Sequence, residues 1–343
     1  MCDLNVHVGK LPLELLQKLV LDKVTPRRPE VLLRPAPGED CAIIDFGEWV
    51  CVMSTDPITG AEADGGWYAV HVSCNDVAAT GAEPVGVMLT ILAPPDSRPD
   101  DLEHAMESAV RAASELGIEI LGGHTEVTAG LPSMVFSCTA VGKAKKGRYV
   151  TALGARPGDS LVLSKAAGLE GTAILAVDCH DLLSAEFPPE MLERARAFSR
   201  EISVVKDGTC GILGGARAMH DVTEGGVLGG VYEMSYGAGL GVRVWADRIP
   251  LRDETMQICR FFGIDPLRLI SSGSMLIATS TPEQVLSELA KEGISGAIIG
   301  HFTDDGRRTV VEGSTEMPLL PPLGDELWKA KEAAARMRSA GRT

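Results

Sequence analysis

The chain has 343 residues, enough for two domains of ordinary size, and its 45% hydrophobic and 23% charged residues exclude a largely disordered polymer. A formal net charge of −15 argues against general nucleic-acid binding, because phosphate backbones select basic surfaces. No apolar run approaches a membrane span and the first seven residues lack the layout of a signal peptide, so a cytoplasmic protein without a membrane partner is expected.

Aromatic residues make up only 4%, so the core is built mainly from Val, Leu, Ile and Ala. Eight scattered cysteines, without a Cys-x-x-Cys pair, read as buried reduced thiols rather than a zinc or disulfide framework. In chain order, the leucine pattern of residues 11–22 predicts an amphipathic helix ended by Pro26 and Pro29. Ala42–Asp45 and Val50–Met53 predict a hairpin about Gly47. Residues 67–82 read as a helix leaving at Gly81, and Gly86–Leu92 as a strand. Ser97 with Asp100 predicts a capping box for a helix that Gly117 stops. A strand at Ile118–Leu121, a turn at Gly122–Glu126 and a strand from Met134 to Val141 follow, then a turn-rich domain boundary within 143–159.

The second half mixes strands and helices: a strand at Leu161–Ser164, a glycine turn at 168–171, a helix at 189–200, strands near 240–245, 274–279 and 296–300, and a helix at 282–292. Asp325–Arg338 is expected to be a solvated terminal helix.

Four aspartates close short hydrophobic runs: Asp40 in Pro-Gly-Glu-Asp-Cys-Ala, Asp56 in Ser-Thr-Asp-Pro, Asp76 in Cys-Asn-Asp-Val, and Asp221 in His-Asp-Val-Thr-Glu-Gly-Gly. Carboxylates at such positions suit Mg²⁺, which takes oxygen ligands and commonly bridges them to nucleotide phosphates. Any one of these segments can also be a plain turn. Gly122-Gly123-His124-Thr125 can cradle phosphate through its amides and the Thr125 hydroxyl, or can be only a glycine turn. A Walker A loop, the dinucleotide fingerprint, the nucleophile elbow of hydrolases and the His-Glu-x-x-His zinc helix are all missing, which removes those classes.

Taken as an ordered set, Gly-Glu-Asp-Cys-Ala-Ile-Ile, Ser-Thr-Asp-Pro, Asn-Asp-Val-Ala-Ala-Thr-Gly-Ala-Glu-Pro, Gly-Gly-His-Thr-Glu-Val, Gly-Ala-Arg-Pro-Gly-Asp and His-Asp-Val-Thr-Glu-Gly-Gly resemble the aminoimidazole ribonucleotide synthetase superfamily. That superfamily includes thiamine-monophosphate kinase, selenophosphate synthetase and the hydrogenase-maturation carbamoyl dehydratase. The resemblance covers about residues 8–315 and is nearest the hydrogenase-maturation branch in the run 145–175. It implies an α+β, PurM-like two-domain fold: an N-terminal segment and helix (1–36), an ATP-binding and dimerising sheet domain (37–147), a C-terminal α/β domain (155–315) and a tail helix (316–343).

The resemblance further implies that Asp40, Asp56, Asp76 and Asp221 bind Mg²⁺, and that Gly38, Thr55, Gly123 and Arg148 help to hold the phosphates of ATP, with Glu39, Asn75, Gly122 and Thr125 beside them in the same motifs. His124 and Asp221 are the candidate catalytic residues. In the hydrogenase-maturation branch the acceptor is a cysteine at the extreme C-terminus. This sequence ends Ser-Ala-Gly-Arg-Thr343 with Cys259 its last cysteine, so the expected acceptor is a separate molecule, or a thiol from a maturation partner. His124 stands where the kinase branch carries Asp, and Cys2 and Lys10 are too far apart to match the Cys–Lys pair of selenophosphate synthetase. The expected protein is a homodimeric, Mg²⁺/ATP-dependent phosphoryl-transfer enzyme; the alternatives are a small-molecule kinase and a nucleotide-binding regulatory dimer without turnover.

Overall fold

The computed structural model describes residues 9–59 and 64–340; Cys2 and the rest of the first seven residues lie outside them. The N-terminal part runs α1 (Leu13–Leu19), β1 (Val31–Leu33), β2 (Ala42–Phe46), β3 (Trp49–Ile58), α2 (Gly65–Ala79), β4 (Glu83–Ala93), α3 (Pro99–Leu116), β5 (Glu119–Val127) and β6 (Val135–Lys145). Its strands form one sheet in the order β1-β2-β3-β6-β4-β5. Helices α2 and α3 cover one face, onto which Val50 and Val52 of β3 and Cys138 and Ala140 of β6 point. The opposite face carries Met53, Thr55, Thr139 and Met88, the last 50% exposed, and has no helix over it among the described residues.

The C-terminal part runs β7 (Ser160–Ser164), α4 (Leu169–Asp178), α5 (His180–Leu183), α6 (Pro189–Ala197), α7 (Val205–Leu213), β8 (Ala216–Asp221), α8 (Gly226–Gly237), β9 (Gly241–Trp245), α9 (Asp253–Phe262), β10 (Met275–Thr279), α10 (Pro282–Lys291), β11 (Gly296–Thr303), β12 (Arg308–Glu312), β13 (Thr315–Pro318) and α11 (Glu326–Ala340). Its seven strands are ordered β13-β12-β9-β11-β7-β10-β8. Strand alternation sends Leu161, Ala218 and Leu276 to the α8 side, and Val162, Met219 and Ile277 to the side packed by α7 and α10. The two-sheet α+β architecture is the expected one.

Several details differ from the sequence expectation. The first helix stops at Leu19 and yields to a 3₁₀ turn at Leu21–Lys23. The N-cap of α3 is Arg98, not Ser97, because Pro99 occupies the first helical turn, and the carboxylate that reaches back is Asp101, not Asp100, accepting the Arg98 N–H at 2.8 Å. The expected turn at Gly122–Glu126 is instead the middle of β5, an exposed edge strand parallel to β4. The tail helix is docked rather than solvated: Leu327, Ala330 and Ala334 are buried, and Asp325 accepts backbone N–H bonds from Gly225 (2.7 Å), Ile270 (3.1 Å) and Leu327 (2.7 Å).

His71 of α2 is 3% exposed, stacks at a tilt on Trp67 with centroids 4.4 Å apart, and has no hydrogen-bond partner at either ring nitrogen. Burial pulls its pKa down to about 4, so the folded protein holds it neutral. Unfolding restores a pKa near the ordinary histidine value of 6.5, so stability from this residue is full above pH 6.5 and is lost as pH falls from 6.5 towards 4, on the order of 3 kcal/mol across the window. His71→Leu should therefore raise the urea midpoint more at pH 5 than at pH 7.5. An equal gain at both values would rule out the titration account.

Candidate functional site

The end of β8 delivers two consecutive side chains to opposite faces of its sheet. His220, on the α8 side, donates from Nε2 to Glu233 Oε2 of α8 at 3.1 Å, and its Nδ1 lies 3.3 Å from Asp40 Oδ2. Asp221, fully buried, turns towards α2, where Asp76 is 3% exposed. Ser54 of β3 binds the two other sides together, its hydroxyl lying 2.6 Å from Asp76 Oδ2 and 2.8 Å from the backbone oxygen of Asp40, with one proton to share between them. Ligating atoms of Asp40, His220 and Asp221 all lie within 4.8 Å of one another. The cluster borders a cleft with about 230 Å³ of open space, also lined by Gly38, Glu39, Cys41, Thr80 and Ala152.

The charges explain the arrangement. Burial opposes ionisation of Asp40, but the hydrogen bond and charge of His220, and then Lys10, hold its carboxyl below the usual range. Burial likewise opposes a charged His220, and the Asp40 and Glu233 carboxylates override it, raising the pKa to about 10. A doubly protonated His220 has no lone pair for a cation, so it orients Asp40 rather than ligating. Asp76 is pushed well above the ordinary range by burial and by Asp56, Asp221 and Asp40. Asp221 rises to about 6, first through burial, with His220 opposing and Asp40 and Asp56 adding to the rise. Neither Asp221 oxygen has a hydrogen-bond partner when ionised; proximity to Asp76 becomes a bond only while one of the two carboxyls keeps a proton.

Lys10 enters from the N-terminal side. Its amide donates to Glu224 Oε2 at 2.8 Å and its Nζ to Thr223 Oγ1 at 3.1 Å. Desolvation works against its charge, but Glu233, Asp40, Asp56 and Glu224 outweigh it and raise its pKa.

The other sequence-derived residues divide. Asp56 lies on the α2-facing side of β3 and couples to Asp76. Gly38 and Glu39 line the cleft, and Glu39 Oε1 also accepts the Leu153 N–H at 3.2 Å. Arg148 sits exposed in the loop after β6, two residues before Val150, whose N–H bonds the cleft residue Thr80. Asn75 does not reach the cleft: it is fully buried, its Nδ2 donates to Ile202 O and its Oδ1 accepts from Val204 N, both at 2.8 Å. Thr55 points to the open sheet face, where Thr139 donates to it at 2.9 Å. Gly122, Gly123, His124 and Thr125 lie three strands from β3, about 14 Å at ordinary strand spacing, so one protomer does not bring them to Asp56. His124 pairs with Glu126 at 3.0 Å on that edge.

The residues not singled out from sequence are His220, Glu233, Ser54 and Cys41. His220 was quoted in the motif with Asp221, and its place beside a strand-end aspartate was the available signal; Glu233 carried none.

The description "AIR synthase related protein, N-terminal domain" matches residues 38–144, and "AIR synthase related protein, C-terminal domain" matches 156–312. A carbamoyl dehydratase HypE of Rhizobium leguminosarum bv. viciae is 31% identical over 268 residues, covering 74% of both chains. The chain belongs to the AIR synthase related family. Its fold is that of HypE in a HypE–HypF complex (TM-score 0.71, 22% identity, 90% of this chain and 99% of that one) and of HypE in complex with ATP (0.67, 21%, 94% and 97%). A ThiL complexed with AMPPCP and TMP shares it too (0.70, 20%, 91% and 94%).

In this AIR synthase related chain the donor set fits a hard divalent cation. Carboxylates converging from both domains, with Asp221 fully buried and both its oxygens unpartnered, are the ligands Mg²⁺ takes, and no soft donor competes because the Cys41 thiol is held protonated. That thiol is pushed well above its ordinary pKa by burial first, then by Asp76, Asp40, Asp221 and Glu39.

Proposed function

We propose that this protein is a Mg²⁺/ATP-dependent enzyme of the dehydratase or synthetase type, HypE-like, which activates an oxygen of an acceptor by phosphoryl transfer. The observation that carries it is the fully buried Asp221 with both oxygens unpartnered, set among Asp40, Asp56 and Asp76 at the interdomain cleft. A cation held by these four carboxylates would neutralise charge on the triphosphate. Ser54 fixes the rotation of Asp76, and His220, backed by Glu233, holds Asp40 ionised and aimed into the cleft. Gly38, Glu39 and Arg148 lie along the course of the nucleotide.

The acceptor is a separate molecule. Of the described cysteines only Cys41 borders the cleft, and a protonated thiol ringed by carboxylates is a poor nucleophile. A HypE relative has been seen with HypF, which supports a maturation partner as the source of the acceptor.

A second copy of the chain covers the open face of the first sheet, which otherwise leaves Met88 and its neighbours in water. Such a dimer also gives the edge strand β5, with Gly122, Gly123, His124 and Thr125, a route to the partner's cleft. Seven unpaired cysteines among the described residues suit the reducing cytoplasm, and no described helix is long and apolar enough to cross a membrane.

Calorimetric titration with AMPPNP, with and without Mg²⁺, tests the reading. Metal-dependent binding near one nucleotide per subunit is expected. Failure to bind under both conditions, with the protein folded and dimeric, would refute it.

A further inference from the structure

Two cavities lie on either side of the His220–Glu233 hydrogen bond, and Lys10 lines the second of them. The first holds the aspartate cluster. The second, with about 390 Å³ of open space, is lined by Lys10, Leu11, Leu13, Glu224, Gly225, Glu233, Pro321, Pro322 and Gly324. The two are joined through one hydrogen bond, since Glu233 lines the second and its partner His220 lines the first.

We propose that Lys10 is the cation that contacts the terminal, transferable phosphate, with the acceptor approaching from the Leu11, Leu13 and Pro321–Pro322 side. This rests on the nucleotide reading above.

Three observations support it. The charge of Lys10 interacts with carboxylates of both domains at the cluster: Asp40 and Asp56 from the first, Glu224 and Glu233 from the second. Among the described residues its Nζ has a single hydrogen bond, to the Thr223 hydroxyl, which leaves two of its three protons for an oxyanion. The segment that carries it is lightly held: α1 and the turn at Leu21–Lys23 contain no buried residue, and the Lys10 amide bond to Glu224 is the tether. The strap can therefore lift for nucleotide entry and reseat with Lys10 on the phosphate.

In the transfer the bond between the terminal phosphorus and the bridging oxygen breaks, its electron pair leaving on the nucleoside diphosphate, while the acceptor oxygen forms the new bond to phosphorus. Lys10 keeps its proton throughout and offsets charge on the moving oxygens.

The test compares the full chain with Lys10→Gln and Lys10→Arg by calorimetry, using Mg²⁺ with AMPPNP and Mg²⁺ with ADP. Lys10→Gln should weaken AMPPNP about tenfold or more and ADP less than about threefold, with Lys10→Arg intermediate for AMPPNP. Equal weakening of both nucleotides would mean that Lys10 only seats the strap, and unchanged affinity for both would mean that it faces no phosphate; either result overturns the proposal. If the parent binds neither nucleotide, the nucleotide reading itself has failed and takes this assignment with it.

Discussion

Asp221→Asn should make the protein more stable and nearly unable to bind Mg·nucleotide. The carboxylate is fully buried, both its oxygens lack partners, and three further carboxylates crowd it, so its charge is a net cost to the metal-free fold. The isosteric amide removes that charge and can donate to Asp76, a gain of about 1–2 kcal/mol in urea unfolding with a chelator present. A pKa raised to about 6 in the fold, against 3.8 for an ordinary aspartate, means that stability associated with the proton is full below 3.8 and is lost as pH rises to 6. The variant should lose that slope. Mg²⁺-dependent AMPPNP affinity should fall at least about 100-fold, because a first ligand to the ion is gone. Parent-like binding by the variant would remove Asp221 from the metal site, and a loss of stability would show that its carboxylate supports the fold.

The largest stability loss is expected at Asp207, remote from that chemistry. Lys165, 11% exposed, follows β7 with φ 56°, a left-handed conformation unusual for a side chain of this size. Its ammonium is fixed by Asp207 Oδ2 (3.0 Å), Ser203 O (2.7 Å) and Gly273 O (2.9 Å), which uses all three protons. Asp207→Ala strands the positive charge between two carbonyls in the interior and should cost about 3–5 kcal/mol, read as a lower urea midpoint at unchanged slope. Replacing both partners, Lys165→Met with Asp207→Leu, should cost clearly less than Asp207→Ala alone, since no uncompensated charge remains. If the double variant is the worse of the two, packing rather than charge governs the locus.

The aspartates were legible in the sequence as a set, but only Asp221 ends its strand: Asp40 precedes β2, Asp56 lies inside β3 and Asp76 inside α2, and it is the packing of α2 and β3 against the end of β8 that gathers them. The glycine pair at 122–123 was not legible, because a turn and a crowded strand ask for the same residue. A Cβ on Gly123 would sit 1.8 Å from Leu89 O, so glycine there serves the close pairing of β5 with β4 rather than a bend. The docked tail was hidden by its composition: the buried stripe is Leu327, Ala330 and Ala334, and two alanines in three give little hydrophobic signal. Asn75 misled for another reason. An asparagine next to a metal-class aspartate looks like a ligand, yet its amide matches a backbone acceptor and donor 127 and 129 residues away in sequence.

That asparagine has a mechanical consequence. Its two bonds splice the middle of α2 onto the segment leading into α7, and just beyond them Gly208 packs so closely on α2 that a Cβ there would lie 2.2 Å from Ala78 O. With backbone riveted to backbone at the seam, the two halves are poorly built to gape like jaws. Traffic into the cleft then depends on peeling back a short surface ribbon, and its exchange rate should respond to changes at residues 9–24 far more than to changes that loosen the domain seam.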